Sequence, residues 1–498
     1  MTFSGSYQKH TKRDSYKEFS GFQLFYQLTY MSAIAAAGLS RHRIFAMASE
    51  LSTTVAHYFA DVENLVRSFH YDYPQACRVT GEGAKENEVR SFLFRLSDAL
   101  ESGEPLDVFL AREAEAQGDS YSNEYERDLE SLKKWTDAYA SLIISQVLIV
   151  IINLISTMIY DMGTKLVGGF MVMSVLFSFM GAWVLSRAAP REVMTLPGPE
   201  GSKEQILARK LLLIAFPLAV ISGGILHLFG AGWPWILILS ALILSPVGVV
   251  AFVSDRKLSK KEEEFGPFLR SLGGMASSTA TTLTESLSQI DLKSFPALEP
   301  DATRLGMRLR ARIDKEICWR RFGTETGSQL ITEGVRVFYD AVTVGGDPEE
   351  VSGLCSMFTA QTSLLRAKRR GVSSTFNWLT LTMHSALSVL LLLVLNIVLS
   401  FRSMMQDVID PDLTANAAQK LEVPLLNYNS GQMAFLREMT IGMLFLLIVV
   451  NSIAIVASDG GFKHKICFYA CLLMVVSSVS FFVVPPVVRS VMLEAISS

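Results

Sequence analysis

The chain has 498 residues, of which 50% are hydrophobic and 19% charged, and its formal net charge is −3. That charged fraction lies below the roughly 25% of soluble domains, the mean hydropathy is positive, and the length allows two or three domains. Long apolar runs alternate with charged, helix-patterned stretches, a layout that excludes most enzymes and predicts an all-α integral membrane protein.

Residues 1–19 have no apolar core and no small-residue cleavage site, so a cytoplasmic tail is expected there and not a signal peptide. Residues 20–138, without sustained period-two alternation, read as a first cytoplasmic helical bundle. Within 139–253 come four runs near the ~20 apolar residues a bilayer requires, at 139–160, 166–186, 211–229 and 233–253. Residues 254–376 read as a second helical bundle. Three further spans, 378–399, 439–456 and 466–484, fall within 377–498, separated in part by an external loop at 401–437.

Lysine and arginine concentrate in alternate connections, which sets orientation. Arg187, Arg191, Lys203, Arg209 and Lys210 lie between spans two and three; Arg256, Lys257, Lys260 and Lys261 follow span four. Arg366, Lys368, Arg369 and Arg370 precede span five, and Lys463 and Lys465 separate the last two. In 401–437, Asp407, Asp410, Asp412 and Glu422 outnumber Arg402, Lys420 and Arg437. All basic connections fall on one side if the N-terminus is cytoplasmic and the C-terminus external.

The two polar domains carry nearly the same phrase, Gly103-Glu104-Pro105-Leu106-Asp107-Val108 and Gly346-Asp347-Pro348-Glu349-Glu350-Val351. Gly103 or Gly346 can adopt the left-handed conformation that ends a helix. Glu104 or Asp347 can cap the next one, Pro105 or Pro348 suits its first position, and Asp107 or Glu350 favours its first turn. A helix corner is predicted, not a catalytic site. In the same alignment Gly38-Leu39-Ser40 falls close to Thr282-Leu283-Thr284, so the domains read as a duplication. In the second, Leu305, Leu309, Ile313 and Ile317 form an apolar stripe at helical spacing beside Arg304, Arg308, Arg312 and Lys315, with Arg320 and Arg321 following. These cations read either as a solvated face or as a docking surface for an acidic partner or anionic lipid.

Residues that carry chemistry are sparse. The sequence lacks a Gly-x-x-x-x-Gly-Lys-Ser/Thr phosphate loop, a His-Glu-x-x-His pair and a Gly-x-Ser-x-Gly elbow, and its seven histidines do not cluster. Cys77, Cys318, Cys355, Cys467 and Cys471 include no Cys-x-x-Cys pair; the first three fall in the cytoplasmic domains, where disulfides are rare, and Cys467 and Cys471, one helical turn apart in a span, are expected to pack rather than bind a metal. No Asp, Glu, Lys or Arg lies within the seven predicted spans, whereas ion-coupled transporters generally need such groups. No catalytic residue, cofactor, metal or nucleic-acid partner is expected.

Residues 30–41 (YMSAIAAAGLSR) and Ser102–Leu106 resemble the first domain of the type II secretion system F family. Phe265–Leu272, Trp319–Gly323 and Tyr339–Pro348 resemble its second. The combination is similar to the archaeal branch, the ArlJ/FlaJ and TadC-like platform proteins of archaella and archaeal type IV pili. The resemblance implies a plasma-membrane platform for filament assembly. A hexameric secretion ATPase would dock on its cytoplasmic domains, pilin- or archaellin-like subunits would meet its spans, and a homo-oligomer such as a dimer would form. One departure is 277–284 (SSTATTLT), where a Ser-Gly is expected before the turn. A transporter or channel with regulatory cytoplasmic domains is the alternative, disfavoured by the uncharged spans.

Overall fold

A computed structural model describes residues 20–159, 164–196, 200–408 and 430–497. Every regular element among them is helical; one isolated antiparallel bridge joins Thr195 and Ser328. The helices are α1 Gly21–Ala35, α2 Arg41–Ser49, α3 Ala56–Phe69, α4 Tyr73–Gly83, α5 Asn87–Ser102, α6 Leu106–Ile159, α7 Thr164–Ala188 and α8 Lys203–Leu228. Then follow α9 Trp233–Thr279, α10 Leu283–Gln289, α11 Glu299–Arg310, α12 Lys315–Thr326, α13 Gln329–Thr343, α14 Pro348–Val408, α15 Ser430–Asp459 and α16 Ile466–Ser497. Seven of them, α6 to α9 and α14 to α16, are long and apolar enough to cross a membrane. The all-α membrane class and the seven predicted spans are thus borne out. The N-terminal tail, the centre of the 401–437 loop and part of the first hairpin link lie outside the described residues.

The chain divides into two compact units. The described residues of the first fall within Met1–Arg127, Arg191–Ile206 and Arg256–Ala367; those of the second fall within Asp128–Pro190, Leu207–Asp255 and Lys368–Ser498. Helices α6, α8, α9 and α14 contribute residues to both.

The first unit contains one helical pattern twice. The starts of α2, α4, α5 and α6 (Arg41, Tyr73, Asn87, Leu106) recur at α10, α12, α13 and α14 (Leu283, Lys315, Gln329, Pro348) with one constant separation. The left-handed residues recur with the same separation: Gly38 with Ala280, His70 with Arg312, and Gly103 with Gly345. Left-handed backbone costs about 1–2 kcal/mol for a residue with a Cβ, so its recurrence at three equivalent corners is a sharper mark of duplication than sequence. Capping recurs too. Asp72 accepts from the Gln75 N–H and Asp314 from the Ile317 N–H, each supplying one orphan donor of a new helix.

Within this unit the two repeats share a core. All of α1 is buried, and Phe22, Phe25 and Tyr26 pack around Phe358 of α14, with ring centroids 5.0–6.0 Å apart. Each such ring fully removed from water contributes about 1.5–3 kcal/mol. Tyr30 Oη donates to Asp340 Oδ2 at 2.9 Å, and Arg336 Nη2 donates to the Glu50 carbonyl at 3.2 Å. Burial raises the Asp340 carboxyl above the ordinary aspartate range, against the opposing pull of Arg336 and Tyr30.

The second unit is built from the span segments and sewn by polar side chains. Tyr139 Oη donates to Asn451 Oδ1 at 2.8 Å, Asn451 Nδ2 lies 3.1 Å from His384 Nδ1, and His384 Nε2 lies 3.0 Å from Ser477 Oγ. With Asn451 donating to Nδ1, the imidazole proton sits on Nε2, facing Ser477. The chain of bonds joins α6, α15, α14 and α16, as expected where polar groups have no water. Lys465, almost fully buried, is held between Asp255 and Asp459. Arg369 caps the carbonyls of Pro190, Ala457 and Ser458 at 2.9–3.1 Å. Both residues count as orienting charges in the sequence; here Lys465 is neutralised by two carboxylates, while Arg369 keeps its charge and is solvated by backbone carbonyls.

Candidate functional site

The six cations predicted as a docking face do not form one surface. The stripe from Leu305 to Ile317 is broken: α11 ends at Arg310, Arg312 turns left-handed, and Asp314 restarts the chain as α12. Leu305 and Leu309 are buried, but Ile313 and Ile317 are 45% and 39% exposed. The four-residue spacing therefore spans a corner and not a single helix. Arg304 and Arg308 are already occupied. Arg304 binds the buried Asp301 and Glu325, and Arg308 Nη2 meets Glu325 Oε1 at 2.5 Å, while Lys261 also reaches Asp301 at 2.7 Å. Burial tends to raise the Glu325 carboxyl, but Arg308 and then Arg304 outweigh it and hold it below the ordinary range.

Arg312, Lys315 and Arg321 are exposed, as is Arg320. Around the same corner stand Met307, 54% exposed, with Ile313 and Ile317. The result is an apolar knob edged by cations, the composition that suits a partner surface with an apolar recess and acidic rim. At this corner Arg312 is left-handed and the next residue, Ile313, stands exposed. The six cations are thus divided between this exposed corner and the ion pairs of Arg304 and Arg308 behind it.

The repeated phrase is also shifted relative to the helices. Gly103 is left-handed as predicted, but at the second corner the left-handed residue is Gly345 and not Gly346. The N–H of Glu104 donates to the Ala99 carbonyl, and that of Gly346 to the Ala341 carbonyl, at 3.1 and 2.9 Å. These are equivalent helix-ending bonds, so Glu104 corresponds to Gly346 and Pro105 to Asp347. Pro105 is then the N-cap of α6, its carbonyl accepting from the Phe109 N–H, whereas Pro348 is the first residue of α14. Asp347 caps as predicted, accepting from the Glu350 N–H at 3.4 Å. Glu104 instead pairs with Arg112 at 3.0 Å. Asp107 opens the first turn of α6, and Glu349 and Glu350 that of α14. Gly346 is required by space: an added Cβ would lie 2.9 Å from the Ala341 carbonyl oxygen. The Gly38 corner shifts likewise, with Ala280 and not Thr282 as its counterpart, so alanine stands where a Ser-Gly was expected.

One cluster escaped sequence reading. Arg366, 1% exposed, joins Glu192 at 2.6 Å and Glu262 at 2.5 Å, and Ser328 Oγ donates to Glu262 at 2.5 Å. Next to it the extended 191–196 segment pairs with the 327–329 turn: Leu196 N–H donates to Gly327 and Gln329 N–H to Met194. The cluster pins the connection between spans two and three into the first unit. In sequence Arg366 merges into the basic run before span five. Its signal was phase: it shares a helix face with the buried Phe358, Thr359 and Thr362.

Among the described residues no group of three or more His, Cys, Asp or Glu is placed to hold a metal ion. All five cysteines are free and buried.

Residues 28–154 match the family described as type II secretion system (T2SS), protein F, a stretch running from α1 into α6. The chain is 27% identical over 362 residues to the "Flagella accessory protein J" of Methanocaldococcus jannaschii, covering 69% of this chain and 64% of that one. It is 27% identical over 326 residues to the protein of the same name from Methanococcus voltae, covering 62% and 58%. The aligned stretch thus spans less than two thirds of either relative's length. No solved structure matches. The predicted resemblance to F-domain platform proteins is borne out.

Proposed function

We propose that this protein is a non-catalytic membrane platform for an archaeal type IV filament, archaellum or pilus. In this reading it couples a cytoplasmic, hexameric secretion ATPase to the insertion of pilin- or archaellin-like subunits. The observation that carries the reading is the duplicated helical module of the first unit, matched in its first copy to protein F and joined by shared helices to seven candidate spans. The names of the two similar proteins support a filament role. Orientation belongs to the same proposal: the helical repeats lie in the cytoplasm of a multi-pass plasma-membrane protein, with the N-terminus inside and the C-terminus outside.

The corner formed by Met307, Arg312, Ile313, Lys315 and Ile317 is the proposed ATPase contact. Arg304 and Arg308 hold the fold behind it, and the Gly103 and Gly345 corners set the angles of the bundle. The experiment is affinity capture of the cognate ATPase by the full chain in lipid nanodiscs, comparing wild type with Ile313→Asp/Lys315→Glu. Loss of capture with unchanged melting temperature supports the contact, and undiminished capture refutes it. The transporter alternative gains no support from the intramembrane polar chain, in which His384 is engaged on both ring nitrogens.

A further inference from the structure

A second site lies in the first repeat, on the helix pair equivalent to α11 and α12. Between α3 and α4 opens a cleft of about 330 Å³, whose walls include Tyr58, Asp61, Asn64, Phe69, Thr80 and Gly83. That volume is at the lower end of the roughly 300–1,000 Å³ of ligand pockets. It suits a single side chain and not a helix, which with its side chains is about 10–12 Å across.

The internal repeat shows why the cleft is open. The separation that relates the helix starts makes Thr80 equivalent to Phe322 and Gly83 equivalent to Glu325. In the second repeat both positions are filled. Phe322 is buried against Trp319 and Phe268, and the Glu325 carboxylate crosses from α12 to Arg304 and Arg308 of α11. In the first, a threonine and a glycine remove that volume, and a Cβ at Gly83 would meet nothing within 4 Å.

The polar groups that remain are unmatched. Thr80 is only 8% exposed, yet its Oγ1 has no hydrogen-bond partner among the described residues, a state rare for a buried hydroxyl. Asp61 is exposed, and its carboxylate makes no ion pair or hydrogen bond among the described residues. Of the residues lining the cleft, it alone is charged. Tyr58 Oη is already committed, donating to Glu86 and accepting from the Lys85 N–H, so the ring is what Tyr58 offers. Phe69, 67% exposed, supplies a second ring.

We infer that this cleft binds the guanidinium of an arginine side chain presented by a partner protein. An unpaired carboxylate with no cation beside it disfavours an anionic ligand and supplies the charge opposite to guanidinium. The forked N–H donors match a carboxylate, and the Asn64 and Thr80 side-chain oxygens are further acceptors. The flat face of the group stacks on aromatic rings, as a lysine ammonium does not. In the second repeat this helix pair is closed by a carboxylate and guanidinium groups of the chain itself; in the first the carboxylate is present and the cation comes from outside.

The test is saturation-transfer NMR on the full chain in lipid nanodiscs. The probe is N-acetyl-arginine methylamide, and N-acetyl-citrulline methylamide is its uncharged isostere. Wild type should bind the arginine probe about tenfold more tightly, through an ion pair and a cation–π contact that citrulline lacks. Asp61→Asn should bring the two probes to within about twofold of each other. Gly83→Leu, at a residue outside the left-handed set, should fill the cleft and remove binding of both. Melting temperatures equal to wild type assign these losses to the site, and the charge preference of wild type is read without any variant. The inference is overturned if wild type binds neither probe or binds both equally. A preference that survives Asp61→Asn, or binding undiminished in Gly83→Leu, overturns it too. The readout needs neither ATPase nor filament, so it fails or succeeds separately from the platform reading.

Discussion

His70 and Arg312 share a left-handed backbone with φ of 57°, and each stands two residues before the aspartate, Asp72 or Asp314, that caps the next helix. Neither is glycine, so the conformation is imposed by the helices on either side, and it is imposed twice. This identity of backbone defines the repeat and aims the exposed corner at Ile313.

The glycine corner separates conformation from space. Gly345→Val should destabilise the protein by about 2 kcal/mol, since a β-branched residue resists positive φ, while Gly345→Asn should cost less. Gly346→Ala should also destabilise, through its contact with the Ala341 carbonyl. Thermal unfolding in detergent checks all three, and a Gly345→Val protein as stable as wild type would refute the assignment.

Arg366 is predicted to be indispensable only while its partners are charged. Arg366→Met should cost about 3–5 kcal/mol by stranding Glu192 and Glu262. Adding Glu192→Gln and Glu262→Gln should recover most of the loss, measured as melting temperature across the series.

Glu325 gives a pH dependence of known sign. Its folded pKa is lowered, so its contribution is fully present above the unfolded value near 4.5 and is lost as pH falls through the lower, folded value. The stability advantage of wild type over Glu325→Gln should therefore be constant near neutrality and shrink in acid below about pH 4.5. An advantage that grows on acidification would contradict the ion pairing.

Sidedness needs probes on exposed residues. Ser202 and Ser328, in polar connections, are buried, so silence of a probe there would report burial and not topology; Asn416, in the 401–437 loop, lies outside the described residues. Lys203→Cys and Lys463→Cys, both exposed, should resist an impermeant external reagent, and Phe229→Cys should react. Labelling of Lys203→Cys in intact cells would reverse the proposed orientation.

The spans were legible because bilayer thickness demands long uncharged runs, and over its described residues each predicted run falls on a helix to within one residue. The duplication was legible from Gly-acid-Pro, but its register was not. Proline is tolerated both at an N-cap and at the first helical position, which allowed the phrase to slip one residue while the left-handed positions stayed fixed. The exposed corner was half legible. Periodicity identified Leu305, Leu309, Ile313 and Ile317, yet a left-handed arginine leaves no mark in a pattern of residue types. Ion pairing between separate segments, as at Arg308 with Glu325 or Arg366 with Glu192, leaves no local mark of the partner, although helical phase marks Arg366 itself as buried.

In the proposed function the exposed corner of the second repeat receives the cytoplasmic ATPase. The most direct measurement is the equilibrium affinity of that ATPase for the nanodisc-embedded chain, with Ile313→Asp/Lys315→Glu compared against Arg95→Glu. Arg95 pairs with Glu113 in the first repeat, distant in sequence from the corner. The corner variant should bind at least about tenfold more weakly, through the loss of a buried apolar contact and a complementary charge, and the control should change little. Equal affinities for wild type and the corner variant would contradict it.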